Sequence, residues 1–197
     1  FRRVLFRSGF FYISYYDTNI GTHNVVYTDI ENTDNYDHIY QSDLCGWVGQ
    51  LGYNKDSIYG ANVFTAEGNE TLKAASFYAT GKDSQYELYV VRQFEDETSL
   101  EKMIPVASGK LGNAGYYTVD FNQGIEVDAG ERYAVVLYII TPGSVHPMAI
   151  EYAADEATEN VDLDDGESYI SANGSKWVSV DTVEKSNLCI KAFSDNR

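Results

Sequence analysis

The chain has 197 residues, 44% of them hydrophobic, which is enough to bury one sizeable core. A formal net charge of −16 argues against nucleic-acid binding, because a surface that displaces phosphate counterions needs clustered Lys and Arg. The apolar runs, such as Tyr133 to Ile140, fall far short of the roughly 18 to 20 residues needed to cross a bilayer, so no membrane-spanning helix is predicted.

In chain order, residues 1–8, Phe1-Arg2-Arg3-Val4-Leu5-Phe6-Arg7-Ser8, read as the translation of a sequencing adaptor and are expected to be artefactual. Gly9 to Asp17 reads as an apolar strand with no partner before it, so residues 9–20 are expected to close a domain whose body is absent. Residues 21–35, polar and interrupted by Gly21, form the expected linker. The remainder, 36–195, is the expected globular domain. It predicts short strands at 36–41, 58–66, 71–79, 85–94, 103–109, 115–121, 132–141, 148–152, 167–171, 175–180 and 187–194, with a further one at 10–16. Turn residues separate them at the spacing of an all-β sandwich or barrel, and no segment predicts a helix.

Two of these segments carry more information than the rest. Tyr117, Val119 and Phe121 alternate with Tyr116, Thr118 and Asp120, the pattern of a strand with one buried and one wet face. Arg132 to Ile140 is apolar on both faces, so it is predicted to be a central strand covered by the other sheet on one side and by loops or a neighbouring domain on the other. Asn173-Gly174 suits a two-residue type I′ hairpin turn, which needs positive φ at both central positions.

The candidate chemistry is sparse. Cys45 sits in Leu44-Cys45-Gly46-Trp47, yet no Gln four to six residues before it stands in the pattern an oxyanion hole requires and no helix signal follows it, so it is not read as a nucleophile. With Cys189 it leaves two readings open, a pair of buried thiols or a Cys45–Cys189 bridge. His23, His38 and His146 lack the close spacing of a zinc pair. Calcium is the metal that carboxylate-rich loops suit. The densest acidic run spans Asp155, Glu156, Glu159, Asp162, Asp164, Asp165 and Glu167, and a second candidate set is Asp34, Asp37 and Asp43 with Glu167. Solvated acidic loops are the competing reading. For glycan binding, Trp47, Tyr53 and Tyr59 offer flat aromatic faces beside the hydrogen-bonding Asn54 and Asp56, although most aromatics in a Tyr-rich β chain are packing partners.

Gly9-Phe10-Phe11-Tyr12-Ile13-Ser14 resembles the last strand of the papain-like cysteine peptidase domain. Downstream, Asn35-Tyr36-Asp37-His38-Ile39-Tyr40-Gln41, Gly46-Trp47-Val48-Gly49, Ala61-Asn62-Val63-Phe64-Thr65-Ala66, Glu70-Thr71-Leu72-Lys73-Ala74, Gly166-Glu167-Ser168-Tyr169-Ile170-Ser171 and Asn187-Leu188-Cys189-Ile190-Lys191-Ala192-Phe193 occur in order. Together they resemble the lectin-like domain that follows the peptidase in secreted bacterial and archaeal papain-like proteases, over most of residues 31–195. The resemblance implies an all-β, jelly-roll-like antiparallel β-sandwich at the cell surface or secreted. It implies no peptidase activity here, since the catalytic residues lie upstream. The implied partners are the chain's own upstream peptidase domain and a cell-wall polymer or surface glycan. The alternatives are an interdomain support that binds no sugar and a free-standing adhesin.

Overall fold

A computed structural model describes residues 34–164, 166–180 and 185–197, with 14, 16–18, 26–28, 30 and 32 before them. The chain divides into two compact units, Phe1–Asn35 and Tyr36–Arg197. Of the strand expected at 10–16, only Ser14 and Tyr16 are described, neither in strand conformation, and the rest of that expectation lies outside the described residues.

The second unit is nearly all β. Its strands are β1 (His38–Tyr40), β2 (Gly49–Leu51), β3 (Ser57–Thr65), β4 (Glu70–Ala79), β5 (Ser84–Val91), β6 (Ile104–Leu111), β7 (Gly115–Val127), β8 (Arg132–Ile140), β9 (Met148–Glu151), β10 (Glu167–Ser171), β11 (Val178–Ser179), β12 (Asn187–Leu188) and β13 (Ile190–Asn196). They form a four-stranded sheet β1-β13-β4-β7, a six-stranded sheet β11-β10-β3-β8-β5-β6 and a small sheet β12-β9-β2. All pairings are antiparallel. The chain crosses between the two large sheets at β3–β4, β4–β5, β6–β7 and β7–β8, which makes a sandwich of the jelly-roll kind.

Alternation places the core. Leu72, Phe77 and Ile190 from the four-stranded sheet meet Ile58, Leu88 and Leu137 from the six-stranded one, with Met148 and Leu188 of the small sheet closing an end. Strand β8 is central, between β3 and β5. Its Tyr133, Val135, Leu137 and Ile139 enter this core, while Ala134 and Val136 join a second cluster on the outer face with Phe94 and Leu100. The cover over that outer face is the 3-10 helix Glu97–Glu101. This helix overturns the expectation of none. Its Asp96 cap and Ser99 form a capping box too short to show any apolar period. Strand β7 buries Phe121 and half-buries Tyr117 and Val119, leaving Tyr116, Thr118 and Asp120 exposed, as the alternation predicts.

Other differences have local causes. The expected single strand at 187–194 breaks at Cys189, where the chain leaves β9 as its partner and takes up β4. Asn62, pointing inward from β3, holds that corner: its amide donates to the carbonyls of Leu188 at 2.9 Å and Ile190 at 2.8 Å, and its own oxygen accepts from Ser168 Oγ at 2.7 Å. Strand β2, three residues containing a glycine, carries no pattern to read. The type I′ turn at Asn173-Gly174 does not form. The β10–β11 register pairs Ile170 with Val178, so the connection is longer, and only Gly174 has positive φ, at +74°. Asn173 instead accepts the N–H groups of Ser175 and Lys176, each at 3.2 Å.

Glu70 ties three strands together without exposure to solvent. Its carboxylate accepts from Tyr40 Oη of β1 at 2.7 Å, Ser194 Oγ of β13 at 2.5 Å and the Gly68 N–H at 2.8 Å. Burial alone would raise its pKa, but the bonds from Ser194, Tyr40 and Gly68 outweigh it and hold the group below its ordinary 4.5. A depressed carboxyl stabilises the fold above the unfolded pKa, and that contribution is lost as pH falls through the folded value. We therefore expect urea stability to drop as pH falls below about 4.5 and Glu70→Gln to flatten that part of the profile; an unchanged profile would contradict the assignment.

Candidate functional site

Because Ile58, Leu137 and Leu88 point into the core, their neighbours Tyr59, Tyr138 and Glu87 point outward. Register places them in one row across the six-stranded sheet: Ser171, Tyr59, Tyr138, Glu87, Ser108. The next row is Ser57, Ile140, Gln85, Lys110. Between these rows lies a cleft of about 260 Å³, lined by Gln85, Glu87, Ser108, Lys110, Tyr138 and Ile140, with Tyr86 and Gly109 at its base.

Tyr138 is braced. Tyr59 stacks on it at a centroid distance of 4.2 Å and an interplanar angle of 22°. Trp177 meets Tyr59 edge-on at 6.2 Å. Gly174 sits so close that a Cβ there would come within 3.2 Å of the Tyr59 ring. Tyr59 does not line the cleft, so the Tyr138 face turned away from it is the one that borders the cleft. Glu87 is held in place by the Tyr89 hydroxyl, which donates to it. Burial, then this bond, pushes the Tyr89 phenol above its usual range.

The residues expected to contact sugar are divided. Tyr59 belongs to this face, as the brace of the platform. Trp47 lies outside the four-stranded sheet, against Tyr78 at 5.7 Å, which in turn packs on Tyr116 at 5.0 Å. Tyr53, Asn54 and Asp56 occupy the exposed β2–β3 connection, where the Asp56 carbonyl accepts the Thr141 N–H at 2.7 Å. The better platform, Tyr138, sits inside a run of apolar residues that reads only as core.

Of the four carboxylates expected to hold calcium, Asp37, Asp43 and Glu167 each have partners within the second unit. Asp34 belongs to the first unit. Asp37 accepts the Asn196 N–H at 2.8 Å. Asp43, fully buried, pairs with Lys191 Nζ at 3.3 Å. Glu167 accepts from Arg132 and from Tyr169 Oη. Arg132 and Lys191 already supply the positive charge a metal would bring, and among the described residues no group of three or more His, Cys, Asp or Glu converges. A different oxygen-rich spot does exist. The Ser42 carbonyl, Glu151 Oε2 and the Asp162 carbonyl lie 3.0, 3.0 and 2.9 Å from Asn187 Nδ2, three acceptors around a group with two donors. Glu151 also accepts the Cys45 N–H. Asp43 and Glu151 are both fully buried there beside one mostly buried cation, Lys191. Burial raises the Asp43 pKa, and Lys191 offsets this only in part.

Neither cysteine is bridged. Cys45 is exposed and Cys189 is buried, so only the second is the buried thiol expected. Burial, followed by the charges of Asp43 and Glu151, pushes the Cys189 thiol up, and burial with Glu151 does the same to Cys45, the opposite of an activated nucleophile. Among the described residues no helix is long and apolar enough to cross a membrane.

Residues 39–194 match the lectin-like domain family. The chain belongs to that family. No curated protein matches it. Among solved structures, the clostridial cysteine protease Cwp84 after propeptide cleavage shares this fold with a TM-score of 0.67 and 24% identity, over 81% of this chain and 40% of that one. The cysteine protease and lectin-like domains of Cwp84, a surface-layer associated protein of Clostridium difficile, match with a TM-score of 0.63 and 21% identity, over 81% of this chain and 36% of that one. The chain thus spans less than half the length of either solved protein. Cwp84 carries a lectin-like domain together with a cysteine protease domain.

Proposed function

We propose that this lectin-like domain is the accessory module of a secreted or surface papain-like cysteine peptidase and that it holds the enzyme on surface glycan through the outer face of the six-stranded sheet. The observation that carries this is Tyr138: one ring face is braced by Tyr59, and the other borders a cleft whose walls present Gln85, Glu87, Ser108 and Lys110. A sugar ring lays its C–H face on such an aromatic while its hydroxyls bond to the surrounding polar groups. Tethering then raises the local substrate concentration of the attached peptidase. On a glycan array or in a cell-wall pull-down, the domain should bind, and Tyr138→Ala should weaken binding about tenfold or more. Equal binding by the variant would rule this face out.

A second reading has its own observation. The Trp47–Tyr78–Tyr116 string leaves Trp47 37% and Tyr116 44% exposed outside the four-stranded sheet, an aromatic face suited to packing on the peptidase domain. Under that reading arrays stay blank, and deleting residues 36–197 lowers the thermal stability of the peptidase that carries them.

Calcium belongs to the same proposal as a structural ion at the Ser42, Glu151 and Asp162 oxygens that share the Asn187 amide, where it would balance the excess buried carboxylate and supply no chemistry. At about 100 times its Kd it would stabilise the fold by about 2.7 kcal/mol. Calcium should therefore raise the melting temperature relative to chelator, and Glu151→Ala should abolish the difference. The same calcium shift in the variant would move the ion elsewhere.

A further inference from the structure

The cleft beside Tyr138 does not end at Glu87. A second cleft of about 330 Å³, lined by Glu87, Tyr89, Pro105, Ser108 and Asn122 among others, shares Glu87 and Ser108 with the first. Along β5 the outward side chains Gln85, Glu87 and Tyr89 follow one another at every second residue, so this stretch extends about 13 Å in the strand direction. Together the two clefts make a groove along β5 and β6, with Ile140 and Lys110 at one end and Pro105 and Asn122 at the other. That is longer than one pyranose ring.

The ionisable side chains along the groove are one carboxylate, Glu87, one ammonium, Lys110, and the phenols of Tyr86, Tyr89 and Tyr138. Their formal charges cancel at neutral pH. The chain around them carries a net charge of −16, so an anionic polymer would meet repulsion with no cationic cluster to overcome it. The uncharged hydrogen-bonding groups Gln85, Ser108 and Asn122 are spread along the length, as successive sugar rings require.

Resting on the glycan-binding reading above, we infer that this groove takes an internal stretch of a linear, uncharged polysaccharide, several rings at once, and not a terminal sugar or a polyanion. Pro105 at the edge strand removes one backbone donor there, so recognition at that end falls to the Asn122 and Tyr89 side chains.

The test is isothermal titration of the intact chain with neutral cello-, chito-, malto- and laminari-oligosaccharides from one to six rings, and with polygalacturonate as the anionic polymer. For at least one neutral series, affinity should rise about tenfold or more between two and four rings and hold when salt is raised. Asn122→Ala should reduce the gain from added rings, and Tyr138→Ala should weaken every length. If one or two rings bind as tightly as six, the extended groove is wrong although sugar binding stands. Salt-sensitive binding of polygalacturonate alone would overturn the uncharged assignment. If no saccharide of either kind binds, the glycan-binding function itself fails.

Discussion

Replacing Lys191 by Met is expected to destabilise the domain by about 3–5 kcal/mol, the cost of leaving a buried charge without its partner. Lys191 Nζ lies 3.3 Å from Asp43 Oδ2, with 14% of its side chain exposed and none of Asp43's. It also donates to Gln41 Oε1 at 2.6 Å. Without the ammonium, Asp43 and Glu151 would both stay buried with no counter-charge, and the structure would take up a proton or open. The decisive comparison is the double variant Asp43→Asn with Lys191→Met, measured by urea denaturation in the presence of chelator. If the loss comes from stranded charge, removing the carboxylate recovers most of it. If the double variant is as unstable as the single one, the loss comes from the packing of the lysine stem and the electrostatic account is wrong.

The second large effect is expected at Asn62. Asn62→Leu keeps the side chain's approximate size and removes all three of its hydrogen bonds, stranding the Leu188 and Ile190 carbonyls and the Ser168 hydroxyl in the core. An unsatisfied buried polar group costs about 1–3 kcal/mol, so the sum should be about 3 kcal/mol or more. Hydrogen exchange gives the location: amides around Cys189, whose N–H bonds to the Ala149 carbonyl at 3.1 Å, should lose protection before those of β8. Uniform loss across both sheets would show that Asn62 contributes only to global stability and does not hold the corner. The physical content of the Ala61-Asn62-Val63 and Asn187-Leu188-Cys189 motifs is this clamp, which joins the six-stranded sheet to the point where the chain changes sheets.

Much of the fold was legible because period-2 alternation reports which face is buried. Tyr117, Val119 and Phe121 declared one buried face, and Arg132 to Ile140 declared two covered ones. The features that escaped lack such a period. Strand β2 is three residues long, the 3-10 helix is a single capped turn, and the break at Cys189 depends on Asn62, which is remote in sequence. The site was less legible than the fold. Trp47 and Tyr59 stand close in the chain, yet they fall outside different sheets. Tyr138 and Glu87 are far apart in the chain and become neighbours only through the β5–β8 register.

The sequence by itself determined the sandwich class, the central strand and the lectin-like family, because burial pattern, turn residues and ordered motifs are properties of the chain read along its length. Tertiary structure alone decided which aromatic face borders a cleft and which carboxylates already hold a cation. Those depend on cross-strand register and on what packs behind each side chain, and linear spacing records neither.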